Sequence, residues 1–138
     1  MADLDAILAR QVVYTVPGMD AARVHADLVY KIVDEDPLAM DVYTPGAGSD
    51  GPWPAVILVH GDGPPVMLQG AKDWGQYQSW GRIVAASGLA AVTFNHRSSH
   101  RLTRMADVAA DIDDLIAHVR AESGPLRLDP DRMAIAAF

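Results

Sequence analysis

A chain of 138 residues, half of them apolar, is long enough to bury about two-thirds of its unfolded surface around one core, which excludes a disordered tail. A formal net charge of −7 with no Lys/Arg run argues against nucleic acid as a partner, because like charge repels the phosphate backbone. With no cysteine there is neither a disulfide nor a thiolate metal site; the start Met1-Ala2-Asp3-Leu4-Asp5 is acidic where a secretory leader is basic, and no apolar run reaches the roughly 18 residues of a membrane span, so the expected setting is cytoplasmic with no membrane partner.

Residues 1–22 read as an N-terminal extension and 23–138 as the main body. In the extension, Leu4, Ile7 and Leu8 have helical spacing, and the apolar run Val12-Val13-Tyr14, closed by Pro17-Gly18, is expected to pack on the body. From Arg23 to Ile32 the residues Val24, Ala26, Leu28 and Tyr30 alternate with His25, Asp27 and Lys31, which predicts an antiparallel strand with one buried face. Asp34-Glu35-Asp36-Pro37 reads as a turn and Leu38 to Thr44 as its hairpin partner, followed by a loop rich in glycine and proline over 45–52.

Beyond that loop the pattern changes. Ala55 to Val59 and Leu89 to Phe94 are continuous apolar runs, as expected of parallel strands covered on both sides. Between them Lys72 to Ser87 reads as a helix, with Trp74, Tyr77, Trp80, Ile83 and Val84 at three- and four-residue spacings and Gly88 at the C-terminal cap. A second helix spans Thr103 to Glu122: Met105, Val108, Ile112, Leu115, Ile116 and Val119 share one face, while Asp107, Asp111, Asp113 and Asp114 crowd the early and middle turns. Asp107 near its start and Arg120 near its end suit the helix dipole, and Asp113 and Asp114 read as a solvated face. Ser123-Gly124-Pro125 ends the helix, and Leu128-Asp129-Pro130-Asp131 reads as the turn into a last apolar strand, Arg132 to Phe138. This order predicts an α/β fold with a mostly parallel sheet, helices on both faces and an N-terminal antiparallel hairpin.

The chemistry centres on His60-Gly61-Asp62-Gly63. A two-glycine turn after a buried parallel strand lets backbone N–H groups approach a ligand at the edge where open α/β sheets bind. Taken alone, the same four residues also suit an ordinary tight turn, and His60 reads as support for that loop more readily than as a catalytic base. Pro64-Pro65 follows where a dinucleotide fingerprint needs its helix and third glycine, so no nucleotide cofactor is expected. His96 and His100 are four apart but lie in a loop without a third ligand, so no metal is expected. Trp74, Tyr77 and Trp80 read as core and pocket wall, and Ser98 and Ser99 lie off any sharp elbow.

The order of segments resembles the N-terminal half of α/β-hydrolases of the esterase and dienelactone-hydrolase-like type, over about Arg23 to Phe138. Met40 to Pro45 is similar to the strand before the oxyanion loop, Ala55 to Gly63 to the third strand with its HGGG-type motif, Ala90 to Arg97 to the fourth strand, Asp107 to Arg120 to the next helix, and Leu128 to Ile135 to the run into the nucleophile strand. The resemblance implies an oxyanion hole at Gly61, Asp62 and Gly63, loop support from His60, and a pocket wall including Trp74 and Tyr77. Asp62 departs from the motif, standing in place of its middle glycine. The glycine that opens G-x-S-x-G would align with Ala137, so the serine, acid and histidine of the triad are expected after Phe138, and His25, His96, His100 and His118 are not promoted to that role.

The resemblance therefore implies the N-terminal portion of a serine hydrolase acting on a carboxylic ester or related acyl substrate, without a cofactor and inactive as this chain alone. The alternative is a noncatalytic α/β subunit or interaction domain. In either case the last strand, apolar on both faces, is expected to pair with a complementary C-terminal half or with itself.

Overall fold

The computed structural model describes residues 3–46 and 48–138, and within them five strands form a single sheet. Met1 and Ala2 of the acidic start, and Ala47 of the 45–52 loop, lie outside the described residues. The strands are β1 (Arg23–Val33), β2 (Asp36–Thr44), β3 (Trp53–Val59), β4 (Ala90–Phe94) and β5 (Leu128–Ala137), in the order β1-β2-β4-β3-β5. β3 runs parallel to β4 and to β5, whereas β2 is antiparallel to both β1 and β4. The sheet is therefore mixed: β1, β3, β4 and β5 run one way and β2 alone opposes them. The hairpin is no appendage: Met40 pairs with Phe94 and Val42 with Val92, so β2 lies inside the sheet and is buried from Met40 to Thr44.

The hairpin closes through Asp34 and Glu35, with φ of 49° and 72°, the left-handed pair that a two-residue turn requires to match strand twist. The alternation predicted for β1 fails in its first half. Val24 and Ala26 are exposed, Leu28 is half-buried and only Tyr30 is buried. The register shifts between His25 and Leu28 and again between Val29 and Lys31, and each extra residue turns the following side chains to the other face.

Two helices cover opposite faces. Against α4 (Met105–Ala121), whose Leu115 and Val119 are fully buried, pack Met40, Val42, Ile57, Val92 and Phe94. Against α3 (Gly75–Ala86) pack their neighbours Tyr43, Leu58 and Ala91, which the pleat sends the other way. α3 lies close because Gly81 has no side chain: a Cβ there would come within 2.7 Å of the Tyr43 ring. It stops where predicted, with Gly88 at φ 85° and the Leu89 N–H returning to the Val84 carbonyl, 3.3 Å. Each fully buried Leu, Ile or Phe in these clusters stabilises the fold by about 1.5–3 kcal/mol relative to exposure.

The extension forms α1 (Leu4–Leu8), and the Val12 N–H donates to Ser79 Oγ, 3.0 Å, which lays the segment along α3. Its apolar run is nevertheless turned outward, with Val13 97% and Tyr14 65% exposed. The predicted turn at 128–131 falls inside β5, where the register shifts between the pairs Trp53 with Leu128 and Ala55 with Met133. Short helices α2 (Pro65–Leu68) and α5 (Ser123–Leu126) and two 3-10 turns, Met19–Ala21 and Ala71–Asp73, complete the described chain, and none of its helices is long and apolar enough to cross a membrane.

Candidate functional site

Because β3 and β4 are parallel, the loops that leave them, 60–64 and 95–104, emerge side by side at one edge of the sheet. The first begins at His60, 4% exposed, whose ring stacks on that of His96 with centroids 3.7 Å apart and planes within 6°. His60 Nε2 accepts the His96 backbone N–H at 3.2 Å, so the ring proton sits on Nδ1 and is donated to the Gly61 carbonyl at 2.7 Å. Burial, with His96 adding to it, pushes the His60 pKa down to about 4, in keeping with a neutral ring. Both nitrogens are engaged with backbone, which leaves none free for acid–base work.

The three amides that follow have different fates. Gly61 N–H donates to the Tyr77 hydroxyl at 3.1 Å. Gly63 N–H makes no hydrogen bond among the described residues, though it lies near enough to the Asp62 carboxylate to help keep it charged. Asp62 N–H donates to no group among the described residues. The Asp62 side chain crosses to the second loop, where its two oxygens accept the Ser99 backbone N–H, 3.0 Å, and the Ser99 hydroxyl. These bonds hold its pKa below the ordinary carboxylate range. Ser98 Oγ adds a parallel tie by donating to the Gly63 carbonyl, 2.6 Å.

A cavity of about 400 Å³ opens beside this loop, walled by Asp62, Gly63 and Pro64 on one side and by Ser98, His100 and Arg101 on the other. A neighbouring cavity of about 520 Å³ shares Pro65, Ser98 and His100 with it and reaches to the hairpin turn at Asp34. Trp74 and Tyr77 line neither; their rings pack on His60, with centroids 6.1 and 6.3 Å away. At the far side of the first loop lies the end of β5: Phe138 N–H donates to the Val59 carbonyl at 3.3 Å, and the Phe138 carbonyl stands 3.6 Å from where a Gly61 Cβ would be.

The second loop is anchored from three elements. Tyr30 of β1 donates to the Asn95 carbonyl, 2.6 Å, and the Asn95 side chain accepts the Lys72 N–H, 2.9 Å. Asp111 of α4, 0% exposed, accepts the Arg97 backbone N–H at 2.9 Å, its guanidinium at 2.8 Å and the Lys31 ammonium at 2.9 Å. Burial opposes ionisation of Asp111, but the bonds and charges of Arg97 and Lys31 outweigh it and leave the pKa below the usual range. Downstream, His100, Arg101 and Leu102 all take left-handed φ, 48°, 58° and 71°, at roughly 1 kcal/mol or more of strain each. Ser99 Oγ accepts the Leu102 N–H, 2.9 Å, and Ser98 Oγ accepts the His100 N–H, 3.1 Å.

Sequence reasoning located the first loop and missed what fastens it. Ser98 and Ser99, set aside because they are not nucleophiles, carry the cross-loop bonds, and Asp111, grouped with a polar stretch, is the most buried carboxylate of the helix. Its position gave the one available signal: Asp111 falls one turn from Val108 and Leu115, on the apolar face. His25 is exposed on β1 and His118 half-buried on α4, away from these loops. Among the described residues no group of three His, Cys, Asp or Glu is placed to hold a metal ion.

Comparison with known proteins identifies relatives of this fold. The chain is similar to an esterase of the planctomycete Thermogutta terrifontis, Est2: to its propionate-bound structure at 26% identity and TM-score 0.64, covering 88% of this chain and 42% of that one. The native form of Est2 matches at 25% identity and TM-score 0.65 over 95% of this chain and 44% of that one, and the butyrate-bound form at 26% and 0.64 over 88% and 41%. The chain thus spans about two-fifths of the length of these esterases. No curated protein matches it. The BD-FAE family model matches residues 40–138, the whole stretch from β2 through both loops to the end of β5, and the chain belongs to the BD-FAE family, as its α/β-hydrolase resemblance anticipated.

Proposed function

We propose that this chain supplies the N-terminal portion of a serine hydrolase acting on carboxylic esters or related small acyl substrates, and that its 60–63 loop is part of the oxyanion hole. The observation that carries this reading is the Asp62 N–H, without an acceptor among the described residues, beside a cavity at the sheet edge and on the loop that Phe138, just past β5, adjoins. A donor fixed before reaction lowers the barrier because it need not reorganise as negative charge develops on the carbonyl oxygen. Gly61 and Gly63 put no side chain beside that donor, and His60 serves it by tying the turn to the β4 loop. In the complete enzyme a serine following β5 would attack the carbonyl, with a histidine as base and an acid orienting it. The esterase relatives support a short acyl group, since the Est2 structures hold propionate and butyrate.

The test is hydrolysis of p-nitrophenyl butyrate by the product of the full reading frame, together with labelling of one serine by a fluorophosphonate probe. This chain alone is expected to give neither. Turnover absent from the full product, or labelling of Ser98 or Ser99, would overturn the reading. The exposed outer side of β5, with Ile135 55% and Phe138 50% exposed, favours a second reading in which that strand joins a partner or a second copy. Light scattering separates the two: concentration-dependent association without probe labelling supports the second.

A further inference from the structure

Asp62 occupies the place where the resembled motif carries a glycine, and a carboxylate beside a developing oxyanion would oppose the reaction if it were free. It is not free. We propose that the Asp62 carboxylate is a positioning group: by locking to Ser99 it fixes the direction of its own residue's N–H, the donor assigned to the oxyanion, so that the substitution strengthens the site instead of degrading it. The inference rests on the function proposed above.

Three observations carry it. The lock has two points on one residue, since one Asp62 oxygen takes the Ser99 N–H at 3.0 Å and the other takes the Ser99 hydroxyl, which fixes orientation as well as distance. The anchor is itself immobile: Ser99 is 1% exposed, and its carbonyl accepts the Arg104 N–H at 2.8 Å. The left-handed turn at His100, Arg101 and Leu102 also aims the hydroxyl protons. Its Leu102 and His100 N–H groups donate to Ser99 Oγ and Ser98 Oγ, so each hydroxyl proton is left to point at the first loop, one at Asp62 and one at the Gly63 carbonyl. Strain of this kind is stored where the surroundings over-determine a conformation, and here it sets two donors against the loop that carries the free amide. A glycine at 62, between Gly61 and Gly63, would leave three consecutive residues with the widest backbone freedom and no tether to Ser99.

The experiment uses the full reading-frame protein with Asp62→Gly, Asp62→Asn, Ser99→Ala and the double variant Asp62→Gly/Ser99→Ala. Steady-state rates on p-nitrophenyl butyrate are compared with the affinity of a trifluoromethyl ketone that forms the tetrahedral adduct. Asp62→Gly and Ser99→Ala are expected to lower kcat by about 10- to 100-fold with KM changed less than about threefold, and to weaken the ketone in proportion, because the lost interaction belongs to the transition state. Asp62→Asn keeps an acceptor for the Ser99 N–H and should fall between. The double variant should be no slower than the poorer single one, since both remove one lock. Wild-type kcat in Asp62→Gly, a loss confined to KM, or additive losses would overturn the assignment. Should Ser99→Ala not fold, the exposed Asp62 pair decides the matter alone. A wild-type protein that turns over no ester overturns the proposed function itself, whereas an active enzyme indifferent to Asp62 overturns only this inference.

Discussion

The two loops at the sheet edge are built on opposite plans. The 60–64 loop is short, carries two glycines, makes few bonds of its own and leaves the Asp62 and Gly63 amides without a hydrogen-bond acceptor among the described residues. The 95–104 loop makes bonds to β1, to the Lys72 segment and to α4, and holds three strained residues in place. An amide can be left open to a ligand only where the loop's own bonding is sparse, and a sparse loop is rigid only if a neighbour makes it so. The division of labour separates the residues that would touch substrate from those that would hold them still.

The sharpest way to break this comparison is to remove the anchor of the second loop. Asp111→Ala withdraws a buried carboxylate from two cations and from the Arg97 N–H, a change that costs about 3–5 kcal/mol when the pair is fully buried. Arg97 and Lys31 are 28% and 18% exposed, so each can recover some hydration, and a loss near the lower bound is expected. Urea unfolding measures it. A loss under 1 kcal/mol would show that the second loop does not depend on α4.

Acid provides the next test, through His60. Its folded pKa, about 4, lies below the unfolded value, so the unfolded state binds a proton first as pH falls. The stability it confers is complete above about pH 6.5, falls by about 2 kcal/mol by pH 5 and levels off below about pH 4, at a total near 3 kcal/mol. The unfolding midpoint should follow this course, and the His60 ring protons should show no titration in the folded protein near pH 6. A midpoint flat from pH 7.5 to 5 would mean that the stacked pair does not hold the loops together in neutral form.

How far sequence reached follows the same division. The continuous apolar runs of β3 and β4, the helical face of α4 and the glycine that ends α3 are local signals, and each matches an element of the fold. The turn after β3 was legible because two glycines and two prolines end a continuous apolar run, although neither Gly61 nor Gly63 takes a left-handed φ or lacks room for a Cβ. Asp62 could be seen to depart from a motif, but its partner lies 37 residues on in the chain, and nothing in a Ser-Ser pair announces a bond across a sheet edge. Bulges in β1 were invisible for a related reason: an extra residue on one strand is defined only against the other. The internal place of β2 was not legible because its pairing with β4 is a choice between partners, which composition does not encode.

A smaller change sharpens the account of the first loop. Tyr77→Phe removes the acceptor of the Gly61 N–H and keeps the ring packed on His60 and Phe138. An amide left without its partner costs about 1–3 kcal/mol if buried, and the half-buried Gly61 places the expected loss near 1 kcal/mol. Hydrogen exchange at Gly61 should rise while exchange at Arg97 stays unchanged. A rise at both would mean that the two loops open as one unit.

The smallest effect, Ser98→Ala, asks whether the loops are joined at more than one point. The Ser98 hydroxyl donates to the Gly63 carbonyl and accepts the His100 N–H, so alanine removes two bonds at once. Both former partners can reach water, since His100 is exposed and Gly63 half-buried, and the cost should be about 1 kcal/mol rather than the larger penalty of an orphaned core group. The distribution of the effect matters more than its size. Without the acceptor at Ser98, the left-handed turn loses one of the bonds that offset its strain, so amide exchange should quicken at His100 to Leu102 first. Ser99 retains its own bonds to Asp62, Leu102 and Arg104, and these should keep the Asp62 lock closed and the Arg97 amide protected by Asp111. If exchange at Ser99 and Arg97 rises as much as at Leu102, the strained turn is the keystone of both loops, and the assignment of the lock to Asp62 and Ser99 alone has to be given up.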